Sequence, residues 1–483
     1  MRSRAAPMGS LALPYAFFRT RFSRHCPVMT TMSSLAVLAC GLALLAHRFS
    51  AGHVSRTFRL LPRRPVTQVA AYALLLALAA CGGGGSSSDS TSTTTGSANS
   101  SNNTSSSSSS NSLTVIVQKS LGSYPNQPFV TVTVCAPGTT TCDTIDHVLL
   151  DTGSTGLRVL ASSLSATTLA GMTREQLASS GNYIDECGQF VSGYTWGSLR
   201  LADVTMGSKT ASSVPVEVIG DSDAGSAPSA CTGTGSDMGS TTEMGANGIL
   251  GVQGQIRDCG STCATSAYPL YYACATGSSC STSSAVPLSQ QVTNPVSMLS
   301  SDNNGIVLSM PSVSDSGQAL ATGTLYFGVG TQTNNTLDSA DRIPLDTSFE
   351  FKATYGGTAN QSSFIDSGTN FLYFQDSTLT RCTGSNSDYY CPSSVQTESV
   401  TFTPNSGASD SSGSYTGSFK VGNVVSLLST SGVYAFDDIA VYGLVDSGMD
   451  FGMPFFYGRY VVIKNESSSG AGDAYAAFAS NGL

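Results

Sequence analysis

The chain has 483 residues with 22 Lys and Arg against 31 Asp and Glu, a formal charge of −9, yet residues 1–80 hold ten of the arginines and no acid. The remaining 403 residues therefore carry a charge of −19, which excludes nucleic acid as the main partner and fits one large two-lobed unit or two domains. Of four histidines only His147 lies in this body, so a multi-histidine metal site is excluded there, a Ser-His-Asp mechanism would depend on that one residue, and carboxylates are the expected bearers of any chemistry.

Residues 1–80 read as a leader. Arg63-Arg64, the apolar run from Val69 to Leu78 and the ending Leu78-Ala79-Ala80-Cys81 have the basic, apolar and small-residue order of a secretory signal. The run is short for a membrane span. Its ending resembles a bacterial lipobox, which implies cleavage before Cys81, lipid on that residue and, with Gly82 rather than Asp following, the outer membrane of a Gram-negative bacterium. An earlier apolar run, Ser33 to Ala46, lacks a polar sequence after Cys40 and is not read as the signal; translation starting near Val54 would bring the signal to the N-terminus. From Cys81 to Ser112 the chain is almost wholly Gly, Ser, Thr and Asn, a composition that cannot bury enough apolar area to fold and predicts a flexible tether.

The body is predicted mainly β, with the first lobe over 113–320 and the second over 321–483. Strand signals bounded by turn residues occur at Leu113–Val117, Phe129–Val134, Val214–Ile219, Ile306–Met310, Thr324–Val329 and Tyr460–Lys464. Thr173–Ala178 and Pro295–Leu299 are the best short helix candidates. Ten cysteines remain after Cys81, an even number that in an exported domain predicts disulfides. Cys135 with Cys142 and Cys382 with Cys391 flank short polar loops and are the plausible local bridges; Cys187 with Cys231 is a further guess. Cys259, Cys263, Cys274 and Cys280 fall in an insertion, Asp258 to Ser289, read as a disulfide-pinned loop rather than a metal site. Asp221 and Asp223 have a trace of calcium-loop spacing without the closing Glu, so a solvated turn is expected. Asp146-His147 is read as a surface pair.

One motif occurs twice. Val148-Leu149-Leu150-Asp151-Thr152-Gly153-Ser154, with Leu157 three residues on, matches Phe364-Ile365-Asp366-Ser367-Gly368-Thr369, with Leu372 three residues on. Gly248-Ile249-Leu250-Gly251 follows the first copy and Asp450-Phe451-Gly452 the second, so the body is a doubled unit with an approximate two-fold axis. Asp315-Ser316-Gly317 and Asp446-Ser447-Gly448 lack the hydroxyl residue after Gly and are not copies. A strand that ends in Asp and turns at Gly presents its carboxyl to a cleft. The hydroxyls of Ser154 and Thr369 can donate to their own Asp, while Thr152 and Ser367 can bond across. Two carboxyls within ~3 Å hold one proton between them, so one can take a proton from water while the other polarises a carbonyl.

On these motifs the body, residues 113–483, resembles the pepsin-like aspartic peptidases, and more closely an uncharacterised family of bacterial exported lipoproteins of that fold. The resemblance implies a bilobal, mainly β fold with pseudo-two-fold lobes and Asp151 and Asp366 as the catalytic pair. It further implies an aspartic endopeptidase, a monomer acting on peptide or protein substrates without cofactor or metal. The alternative is a pepsin-fold binding or envelope-interaction protein without turnover. Pepsins carry a tyrosine on a flap hairpin, here Cys187–Met206. Aligning Gly193 and Gly197 puts Phe190 in its place, with Tyr194 and Trp196 near the tip as flap or substrate-binding residues; aligning Tyr194 directly keeps the tyrosine but shortens the hairpin. Arg158 stands where pepsins have a supporting Trp, and Met453 where they have Asp.

Overall fold

The structure, a computed structural model, describes residues 110–275, 282–337, 341–445, 447–467 and 473–480. The leader, Cys81, most of the tether, Cys280 and Asp446 lie outside them. Five of the six strand expectations fall within strands, and the sixth, Thr324–Val329, overruns its strand Ala321–Phe327 by two residues. In Ser112–Gln118 burial alternates as a pleated strand with one wet face requires, with Leu113, Val115 and Val117 pointing inward, whereas Val214–Ile219 and Ile306–Met310 are buried on both faces. Each such side chain contributes about 1.5–3 kcal/mol by leaving water.

Both motif copies adopt one topology. In the first, Cys142–Asp151 runs parallel to Gly248–Val252, which pairs antiparallel with Thr155–Leu160. In the second, Thr358–Ile365 runs parallel to Asp450–Phe451, which pairs antiparallel with Leu372–Phe374. Each Asp therefore sits where the chain leaves one outer strand and loops past a central one to the other. An antiparallel run of Ser112–Gln118, Ala321–Phe327, Gly305–Met310, Arg459–Lys464, Tyr475–Ser480 and Asp341–Pro344 joins the halves, taking strands from both ends of the body. The core passes through it, from Leu150 and Val252 to Phe351, Phe402 and Phe451. This is the mainly β, two-lobed, pepsin-like fold.

Three segments differ from expectation. Thr173–Ala178 is not a helix: Arg174 bridges to Arg200 and Gln176 to Tyr183. The Glu175 N–H donates to the Leu199 carbonyl and the Ile184 N–H donates to the Glu175 carbonyl, so strand pairing on both sides overrides a weak local periodicity. Pro295–Met298 forms only a 3-10 turn, capped by the Asn294 side chain on the Val296 N–H at 3.0 Å. The insertion after Asp258 is more than a loop, because its strand Tyr271–Cys274 pairs with Tyr183–Phe190. Cys135–Cys142, Cys187–Cys231, Cys259–Cys263 and Cys382–Cys391 are disulfides, and Cys274 is disulfide-bonded as well.

Candidate active site

Each aspartate is gripped by its own turn. The Gly153 N–H donates to Asp151 Oδ1 at 2.8 Å and the Ser154 hydroxyl to Asp151 Oδ2 at 2.5 Å. The Gly368 N–H donates to Asp366 Oδ1 at 2.8 Å, and the Thr369 hydroxyl to Asp366 Oδ2 at 3.1 Å. Across the axis the bonds are reciprocal. The Thr152 N–H donates to Ser367 Oγ at 3.1 Å, and the Ser367 N–H to Thr152 Oγ1 at 2.8 Å. Each hydroxyl then donates onward, Thr152 to the Ile365 carbonyl and Ser367 to the Leu150 carbonyl.

Glycine is required at both turns. A Cβ on Gly153 would overlap the Asp366 carboxyl, and one on Gly368 would lie 2.8 Å from Asp151 Oδ1. Each backbone thus approaches the aspartate of the opposite lobe closely. The two carboxyls converge between the turns, since a Cβ on Gly368 would lie 2.8 Å from Asp151 Oδ1 and 3.1 Å from Asp366 Oδ1, and both residues are fully buried. Burial, then the neighbouring Asp151 and then Asp450, push Asp366 well above the usual carboxylate range.

The sequence pattern of DUF3443, whose description is a protein of unknown function, matches residues 75–478. The chain belongs to DUF3443. No curated protein matches it. Among solved structures, this DUF3443 protein is similar to the aspartic proteinase from Irpex lacteus, with 16% sequence identity and a TM-score of 0.43, over 76% of this chain and 96% of that one.

Near the pair, the DUF3443 chain has its own furniture. The hairpin of Tyr183–Phe190 and Gly193–Met206 turns at Val191 and Ser192. Phe190 packs with Leu149, Ile249 and Leu160, on the face that carries Asp151. Tyr194 and Trp196 point to the other face, against the Cys187–Cys231 bridge and Tyr272, and Trp196 pairs with Cys187 well below the turn. Of the three flap aromatics, only Phe190 is therefore brought to the aspartate side. Met453 is buried in the core.

Arg158 stands beneath the hairpin and is 1% exposed. Its guanidinium donates to Glu186 at 2.5 Å and Asp258 at 3.1 Å, lies 3.2 Å from Glu217, and stands 5.7 Å from the Phe190 ring centre. Burial alone would lower its pKa, but Glu186, Asp258 and Glu217 outweigh that and raise it. One cation cannot neutralise three buried carboxylates. Burial first, with Glu186 as the next cause, pushes Glu217 and Asp258 well above their usual range.

The weaker sequence signals resolve differently. Asp221 and Asp223 are occupied by Arg200, at 2.7 and 2.6 Å, and Asp221 is buried rather than solvated. His147 meets Asp146 at 3.2 Å and Gln118 at 3.0 Å. Among the described residues no group of three His, Cys, Asp or Glu side chains is placed to hold a metal ion. Three features escaped sequence reasoning: the carboxylate partners of Arg158, the acid at 450 beside the pair, and Asn126. Asp450 was readable, since it occupies the place of Ile249 in the repeat.

Proposed function

We propose that this protein is an aspartic-type endopeptidase, carried by lipid on Cys81 at the outer membrane, that hydrolyses peptide bonds with Asp151 and Asp366. The observation that carries the reading is the convergence of the two buried carboxyls, each set by a matching turn. The ionised member takes a proton from a water, whose oxygen bonds to the peptide carbonyl carbon. The protonated member gives its proton to the carbonyl oxygen. Return of a proton to the amide nitrogen then breaks the C–N bond, leaving a carboxylic acid and an amine.

Digestion of a peptide library by the purified body across pH 3–7 tests this. Cleavage is expected in the acid part of that range, with loss of roughly 10²-fold or more in Asp151→Asn and in Asp366→Asn. No cleavage, or cleavage unaffected by both substitutions, overturns it. The anchor is checked by fractionating cells that make the full chain: it is expected with outer membranes, and Cys81→Ser in the soluble fraction. One observation favours the second reading, a binding protein without turnover. Phe190 faces the aspartate side without the hydroxyl that a tyrosine would bring.

A further inference from the structure

The repeat that matches the two aspartates also matches the residues beside them. Side chains two apart on a strand share a face, and residues paired across adjacent strands point the same way. Leu149, two before Asp151, pairs with Ile249; Phe364, two before Asp366, pairs with Asp450. Ile249 and Asp450 are thus equivalent positions flanking the dyad on its own face. One is apolar, fully buried with Leu149, Leu160 and Phe190. The other is an acid, 1% exposed. Asp450 also pairs with Tyr373, a half-buried residue that packs against Phe364 and Val445. Burial first, with Asp450 among the neighbours that add to it, raises both Asp366 and Tyr373.

A substrate lying across the dyad meets two unlike flanks. On the Ile249 side an apolar side chain gains by leaving water. On the Asp450 side the same side chain would be laid against an acid and a phenol. A cation there is attracted by the carboxylate, and the ring of Tyr373 adds its face. We propose that Asp450 and Tyr373 form a subsite beside the scissile bond that takes a lysine or arginine side chain, while the Ile249 flank takes an apolar one. The location of the bond rests on the peptidase reading; the charge asymmetry does not.

Binding separates the two. Asp151→Asn, expected to be slow in turnover, is titrated with labelled octapeptides whose central pair is Leu-Lys or Leu-norleucine, in either order. Fluorescence anisotropy at about pH 6 is expected to show roughly ten-fold tighter binding of the lysine peptide in one order, about 1.4 kcal/mol. Adding Asp450→Asn is expected to remove that preference, and Asp450→Leu, which restores the symmetry, to reverse it. Equal binding of the two peptides, no binding of either, or a lysine preference that survives both substitutions overturns the proposal. Thermal melts establish that each variant is folded, and of the two position-450 variants one folded protein suffices. Failure of the peptidase reading looks different: wild-type protein cleaves nothing while the Asp450-dependent preference persists.

Discussion

Thr152 and Ser367 carry the tightest coupling between the repeats. Each hydroxyl accepts from the opposite backbone N–H and donates to a carbonyl one residue before the opposite aspartate. Removing either hydroxyl leaves a buried N–H and a buried carbonyl short of a partner, a cost of about 1–3 kcal/mol. Thr152→Ala and Ser367→Ala are each expected to lose about 2 kcal/mol in urea denaturation, and Thr152→Ser under about 1. Because the bonds are reciprocal, the double variant is expected to lose clearly less than the sum; simple additivity would refute a shared network. These residues were legible because the two turns are local sequence, copied twice. Arg158 was not: Glu186 is 28 and Asp258 100 residues away, beyond any periodicity that a strand or helix imprints.

At the scale of elements, the hairpin stands on a charge cluster with a definite pH response. Glu217 and Asp258 are raised in the folded protein, by burial first and then by Glu186, and burial pushes Asp185 up to about 7. A group raised on folding contributes stability that is complete below its unfolded value, near 4 for a carboxyl, and lost as pH climbs through the folded value. Asp221 and Asp302 have the opposite sense. Burial acts to raise them, but hydrogen bonds led by Ser198 on Asp221 and Lys209 on Asp302 hold both below the usual range, so their contribution is lost only as pH falls beneath about 4. Between pH 4 and 7 the raised groups decide. Amide exchange in Cys187–Trp196, corrected for intrinsic rate, is therefore expected to be slower at pH 4 than at pH 7. Glu217→Gln and Asp258→Asn should narrow the gap. Equal or better protection at pH 7 in the wild type would exclude a titrating base for the hairpin. The hairpin was legible only through the resemblance that places a flap at Cys187–Met206, whereas the extended form of Thr173–Ala178 depends on partners at Tyr183 and Leu199 that no short window contains.

For the whole molecule, the question is what keeps the repeats in register. The described disulfides span 7, 44, 4 and 9 residues, so each closes within one lobe and none of them ties the two together. The work falls to the shared central sheet, to Thr152 and Ser367, and to Asn126. This residue leaves the first lobe with φ at +52°, a conformation that asparagine tolerates better than most. Its Nδ2 donates to the carbonyls of Asn370 at 3.0 Å and Phe436 at 2.9 Å. Its Oδ1 accepts from the Phe436 N–H at 2.8 Å and the Tyr457 hydroxyl at 3.0 Å. Four side-chain bonds to the second lobe, at about 1 kcal/mol each, predict a loss of about 3–4 kcal/mol in Asn126→Gly, where the backbone keeps its freedom. Asn126→Ala is expected to lose about 1 kcal/mol more, since a Cβ at positive φ adds strain. Urea denaturation measures both. A loss below about 1 kcal/mol in the glycine variant would mean that the central sheet alone sets the lobes, and the dyad geometry with them. The doubled motif made two lobes legible, but a single asparagine in a loop carries no such signature, because its meaning lies in residues 244 to 331 positions away.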